Sequence, residues 1–450
     1  MKPTLADNIL VVLYFLLWVV TFIVYHRKNR NLDGGSVIIG SYFCYAFFSI
    51  LTLNNPITFW DYYDYHHLTV FPFIYLFVML IIALSPAIRY HNNPAVQIEA
   101  PSSFILYALS AIIILSALLL FPNVIANLGD GLVKLLTDTD AGKDAYEEQL
   151  QNAADSGSGI ANIPAIIFNA LSEIAIFLFF YFLTLKRKNV WLVAGLGFAI
   201  MVAVLQPIMA GQRSLVIYTV LTVILGFFFF KQFFSDVLRK VMRYIGIIGI
   251  GLTMIPVIAI TVSRFSQYRQ STVTDYVNWY IGQGNIYFNN YALDDNGIRY
   301  GDRTLNLVKR VISSNASDNF VERRDTFSNL YVNDDIFTTF VGDFAIDYGP
   351  VLAFLIFVVF NAWVLFRTRV QDGKIKMQQA ILLYFTMCVC MQGGMTLFTF
   401  ADTANLKMFC MFGLYAYLVF YDTILEKFPQ HIEYVRHADK PLPKKRIIVK

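Results

Sequence analysis

The chain has 450 residues, of which 57% are hydrophobic and 15% charged, with a formal net charge of +4 and a mean hydropathy of +0.55. A soluble domain carries about 25% charged residues, so this composition excludes an ordinary soluble globular protein. Apolar runs of roughly 18 to 25 residues recur along the chain, long enough to cross a hydrocarbon core, and they are continuous rather than alternating, which selects helices over a β-barrel.

The first run, Asn8 to Tyr25, is too long for a signal-peptide core and has no basic stretch before it, so it reads as a retained span. Further spans are expected at roughly 36–53, 68–88, 103–121, 163–185, 190–209, 215–230, 244–262, 340–366, 377–400 and 405–424, about eleven in all. Basic clusters fall on alternate connections: His26 to Arg30, Lys186 to Lys188, Lys231 to Arg243, Arg367 to Lys376, and the tail Lys440 to Lys450. One side then holds about 22 of the 35 Lys and Arg, and the positive-inside rule makes that side cytoplasmic. The N-terminus is expected outside and the C-terminus inside. The chain divides into a helical bundle (1–262), a large outer loop (263–339), C-terminal spans (340–424) and a basic cytoplasmic tail (425–450). Cys44, Cys388, Cys390 and Cys410 all lie inside apolar runs, so Cys388-x-Cys390 reads as helix filler rather than a metal site.

The outer connections differ in character. The segment 54–67 is aromatic, with Trp60, Tyr62, Tyr63 and Tyr65, as in an interfacial belt or a ligand contact. The segment 122–162 is acidic and contains a flexible Asp155-Ser156-Gly157-Ser158-Gly159 stretch. The long loop is too large to be structureless unless it is functional or partly folded, and helices can form within Thr274 to Tyr291 and Leu305 to Ser314. The cytoplasmic connections are too short for a nucleotide-binding domain, and no Gly-rich phosphate loop is present. An ATP-driven pump is therefore disfavoured.

Several residues carry possible chemistry. Arg213, in Gly211-Gln212-Arg213-Ser214, sits in a tight outer turn where the orientation rule asks for few cations; it either snorkels to the interface or binds an anion. Arg264 and Arg269 follow the eighth span, and paired guanidinium groups grip diphosphates by planar, bidentate bonds. They do not share a helix face, so Arg213 is an alternative second jaw. Asp343 and Asp347 are four apart on one face where the chain re-enters the membrane. They complement the helix dipole, or Asp347 serves as a general base with Asp343 beside the substrate. Tyr276, Trp279, Tyr287 and Asn289 interleave rings with amides, which suits sugar binding and equally suits packing at an interface. Arg303 is a further candidate substrate contact. His66 and His67 are the outer side's only histidines, so a Ser-His triad within the long loop is excluded. Glu173 lies near the middle of a span, as in proton or ion paths. Nothing in the sequence demands a metal or cofactor.

The outer arginines, the Asp347-Tyr348-Gly349-Pro350 re-entry and the single dominant outer loop together resemble the Wzy-type O-antigen and capsule polymerases of bacteria. The resemblance covers most of the chain as architecture. It implies a multi-pass membrane fold similar to GT-C-like lipid-linked glycosyltransferases. It also implies transfer of a glycan from a polyprenyl diphosphate to the next lipid-linked repeat unit, at the outer face of the bacterial cytoplasmic membrane. The product would be O-antigen, capsule or exopolysaccharide. Arg213, Arg264 and Asp347 would be catalytic. The partners would be the lipid-linked donor and acceptor and the bilayer, with a chain-length regulator and flippase as further candidates, and with no nucleic acid and no cofactor. Three alternatives stay open: an O-antigen ligase using the same donor, a lipid-linked glycan flippase or other transporter built on Glu173, and a non-catalytic scaffold.

Overall fold

The computed structural model describes residues 2–59, 65–101, 103–137, 163–209, 212–265, 271–294, 296–313, 330–332, 336–395, 402–425 and 434–436; of 127–137, 263–265, 402–403, 425 and 434–436 it describes the backbone. Among these residues the helices are α1 (Leu5–Lys28), α2 (Gly34–Leu53), α3 (Val70–Asn92), α4 (Ser103–Thr137), α5 (Ile163–Thr184), α6 (Val190–Met209), α7 (Arg213–Phe230), α8 (Asp236–Phe265), α9 (Val273–Tyr287), α10 (Asn306–Ile312), α11 (Thr339–Arg367), α12 (Met377–Gln392) and α13 (Asp402–Leu425). Three short strands complete the set, β1 (Gln97–Glu99), β2 (Lys374–Lys376) and β3 (Tyr434–Arg436). Ten of the described helices are long and apolar enough to cross a membrane, all but α9, α10 and α12. This is an all-helical, multi-pass membrane protein.

The expected span at 377–400 is not among these ten. Its helix, α12, has only 16 residues and is buried along nearly its whole length. At about 1.5 Å per residue it reaches roughly 24 Å, short of a hydrocarbon core of about 30 Å. It is an internal helix walled by others, and its C-terminal end stops inside the bundle. Helix α4 differs the other way: it continues through Pro122 to Thr137, into the segment expected as an acidic loop.

Local chemistry fixes the ends. Thr4 and Asp7 form a capping box on α1, and Asp33 and Ser36 form one on α2. Asp33 also accepts from Tyr25 Oη (2.9 Å) and lies 2.6 Å from His91 Nδ1, tying the α1–α2 connection to the end of α3. On this same face β1 pairs in parallel with β2 and antiparallel with β3, Gln97 opposite both Lys374 and Arg436. Three connections remote in sequence are therefore gathered on one end of the bundle, the end that carries the basic clusters. The opposite end, here the loop face, gathers the N-terminus with the connection after α2: Leu68 N donates to Asp7 Oδ1 (2.8 Å) and Asn54 to Asn8 (2.8 Å). Lipid-facing positions are apolar, among them Leu13 and Val20 of α1, Ile248 and Leu252 of α8, and Val359 and Phe366 of α11, all exposed.

Candidate functional site at the loop face

The helix expected within Thr274 to Tyr291 forms, and it enters the bundle instead of lying over it. A Thr272–Asp275 capping box starts α9. Its path then runs antiparallel to the last turns of α2: Asn55 Nδ2 donates to Asp275 O (2.7 Å), Thr52 Oγ1 to Asn278 O (2.7 Å), and Ser49 Oγ to Gly282 O (2.8 Å). Gly282 permits this approach, since a Cβ there would meet the Phe48 carbonyl and Thr52 Oγ1 closer than any real contact. Residues 282–289 are buried. Gly284 faces the turn after α12, its Cβ position 3.6 Å from Gly394 O. The same turn receives the start of α11, with Phe340 N donating to Gly393 O (2.9 Å). The space above the short α12 is thus filled by α9 and the π-turn Phe288–Ala292 that follows it.

The amides and rings of this segment are mostly used internally. Asn289 spans the N-terminal end of α3, accepting from Thr69 N (2.9 Å) and donating to Thr69 O (2.8 Å). The residue expected as a sugar contact is thus engaged, through both amide atoms, by the main chain of Thr69. Tyr276 and Tyr287 are buried and Trp279 is half-buried. Tyr291 Oη lies 2.9 Å from Nδ1 of His66, whose residue is exposed at the loop face.

The segment after the π-turn docks on α11. Gly301 at φ 83° allows a tight turn over Tyr348. Arg299 N donates to Ile346 O (3.2 Å) and Tyr300 N to Asp347 O (2.9 Å). Asp347 then accepts from the main-chain N–H of Arg303 (3.0 Å) and Thr304 (2.7 Å) and from Thr304 Oγ1 (2.7 Å). One turn earlier Asp343 receives Arg303 Nε at 2.9 Å and Nη2 at 2.8 Å. Asp343, Asp347 and Arg303 are all 0% exposed. The four-residue spacing does place both carboxylates on one face. That face is spent on anchoring the 299–304 turn, so neither the base expected at Asp347 nor the substrate contacts expected at Asp343 and Arg303 are accessible in this arrangement. Gly349, at φ 77° and ψ 158°, breaks the helix just beyond, and the Pro350 carbonyl that follows the break accepts from Tyr75 Oη (2.6 Å).

Arg213 opens α7 at the loop face, 5% exposed, with its guanidinium 4.5 Å from the centroid of the Tyr280 ring of α9. A cation stacked on an aromatic face in a desolvated setting is held in place. The short Lys231–Phe233 turn joins α7 to α8, so the two helices run antiparallel and Arg264 lies toward the same end of the bundle as Arg213. Arg264 lies in the last turn of α8 and its side chain is outside the described residues, as are Arg269 and Gly211. Of the expected phosphate-binding set, only the Arg213 side chain is among the described residues, and its aromatic partner Tyr280 was no part of that set.

Glu173 has partners that sequence reading missed. Gln392 Nε2 donates to its Oε1 at 3.0 Å and Lys407 Nζ lies 3.6 Å from the same oxygen. Gln392 also reaches Thr222 Oγ1 (3.3 Å). The residues come from α5, α13, α12 and α7, and no local pattern links them. Among the described residues no group of three or more His, Cys, Asp or Glu is placed to hold a metal ion. In comparisons with protein-family models, with curated proteins and with solved structures, the chain matches none. Its class therefore rests on its own architecture: a polytopic helical membrane protein with a helix inserted at one face.

Proposed function

We propose that the chain is a membrane glycosyltransferase that polymerises polyprenyl-diphosphate-linked repeat units at the outer face of a bacterial cytoplasmic membrane, the loop face being that outer face. The observation that carries this reading is Arg213: a guanidinium held at the end of a span, nearly excluded from water, and stacked on the inserted helix. A departing diphosphate needs fixed positive charge where the bond breaks, at the depth of the lipid headgroups, because both substrates are held by their lipid tails. Arg213 supplies that charge, and Arg264 and Arg269, whose side chains lie outside the described residues, complete the proposed set. Asp343, Arg303 and Asp347 hold the 299–304 turn against α11 on the same loop face. For Asp347 to act as the base, the 299–304 turn must open. His66, exposed beside Tyr291, is the base that needs no such opening.

In cells, Arg213→Ala is expected to abolish long surface glycan while single repeat units still reach the surface. Unchanged chain length would remove the reading.

A transporter is the second reading, favoured by the Glu173–Lys407 pair inside the bundle. Under it, Glu173→Gln would trap repeat units on the side where they are made. The transferase reading expects normal export.

A further inference from the structure

A cavity of about 1140 Å³ opens on the basic face between α6, α7 and α8, far from Arg213. Its rim is polar and its walls are apolar. Lys231, Gln232, Arg239 and Arg243 line the rim. Asp33 is the rim's carboxylate, and it is already engaged by Tyr25, Ser36 and His91. Arg239 is partly occupied, 3.2 Å from the exposed Asp236 and donating to Phe234 O (3.3 Å). The rim remains net positive. Deeper in, the wall is Met201, Val204, Val223, Ile224, Phe227 and Ile250. Gly246 and Gly249 of α8 also line the cavity, and a Cβ built on either meets nothing within 4 Å. Glycines in membrane helices ordinarily let neighbouring helices close up. Here they face open space, so α8 stands off from α6 and α7.

We propose that this groove binds an anionic phospholipid from the leaflet on the basic face, with its phosphate among Lys231, Arg239 and Arg243 and an acyl chain along the trough. Charge complementarity selects the headgroup: clustered Lys and Arg at a membrane surface attract anionic lipid, and guanidinium and ammonium groups make charge-assisted bonds to phosphate oxygens. The apolar depth selects a lipid over a soluble anion, which would leave the walls wet. The volume suits a headgroup with part of its acyl chains. The proposal stands on this cavity alone, whatever the loop face does.

The test uses the full-length protein in neutral detergent, titrated with dioleoyl phosphatidylglycerol, dioleoyl phosphatidylcholine or undecaprenyl phosphate and followed by native mass spectrometry. One phosphatidylglycerol is expected to be retained per chain, with phosphatidylcholine about tenfold weaker. The Lys231→Gln/Arg243→Gln variant is expected to bind phosphatidylglycerol about thirtyfold more weakly, the effect of two basic side chains near a lipid surface. Gly249→Trp fills the trough without changing charge and is expected to release the lipid too. Lys240→Gln, exposed and outside the cavity, is expected to retain it. Equal retention of the two phospholipids overturns the proposal. So does equal binding by the double variant and Lys240→Gln, or undisturbed binding by Gly249→Trp, or displacement of phosphatidylglycerol by undecaprenyl phosphate. The trough variant reads the same site as the rim variant, so misfolding of either one leaves the other to decide.

Discussion

Arg303 and Asp343 form a buried ion pair in which both Nε and Nη2 reach the same carboxylate oxygen, at 2.9 and 2.8 Å. The pair joins a loop-face turn to a helix 40 residues further along the chain. Removing one partner leaves a charge without compensation in a dry site, which costs about 3–5 kcal/mol. Arg303→Met and Asp343→Leu are each expected to lower unfolding stability by that order in detergent. The double variant should lose much less than the sum. Additive losses in the thermodynamic cycle would show that the two side chains do not depend on each other.

Asp347 is expected to act as the anchor of the 299–304 turn. Asp347→Asn replaces one acceptor oxygen with a donor that faces main-chain N–H groups, at a local cost of about 1–3 kcal/mol. Amide exchange over residues 299–305 should accelerate, with exchange in α2 and α3 unchanged. If glycan transfer falls while exchange stays at the wild-type rate, Asp347 moves protons instead of holding the turn.

Much of this architecture could be read from the sequence, for a physical reason. Spans announce themselves by hydropathy summed over a window, and ten of the eleven expected ones appear as long apolar helices. The exception, α12, is apolar because it is interior to the bundle, and composition alone does not separate a buried helix from a lipid-facing one. The burial of α9 was not legible either. Its Tyr, Asn and Gly residues match both a sugar-binding surface and a close helix contact, and only the partners, Ser49, Thr52 and Asn55 on α2, decide between them. The four-residue spacing of Asp343 and Asp347 gave a shared face but not what covers it. Glu173 and Lys407 are on helices far apart in the chain, so no local periodicity pairs them.

Gly282→Leu tests the insertion of α9. The added side chain has nowhere to go against the Phe48 main chain, so α9 should separate from α2. A cysteine pair at Asn278 and Thr52, where the Thr52 hydroxyl donates to the Asn278 main-chain carbonyl at 2.7 Å, should be bridged by a short bifunctional thiol reagent in the otherwise native chain and not in the leucine variant. Persistent crosslinking would place α9 elsewhere than on α2.

Asn289→Ala removes both bonds to the Thr69 main chain and is expected to destabilise the start of α3 by about 1–3 kcal/mol, as for buried polar groups left without a partner. Glycan chain length should be unaffected once the protein is folded. Shortened polymers from a variant of wild-type stability would return Asn289 to the substrate.

The most direct measurement is transfer by the purified protein in liposomes supplied with its host's polyprenyl-diphosphate-linked repeat unit, read as product length on a gel. The wild-type chain is expected to build a ladder, and Arg213→Ala to slow its growth by about a hundredfold or more, the usual effect of removing one fixed donor from a charge-stabilising site. A wild-type protein that joins no units, or an Arg213→Ala ladder that matches the wild type, would contradict the account.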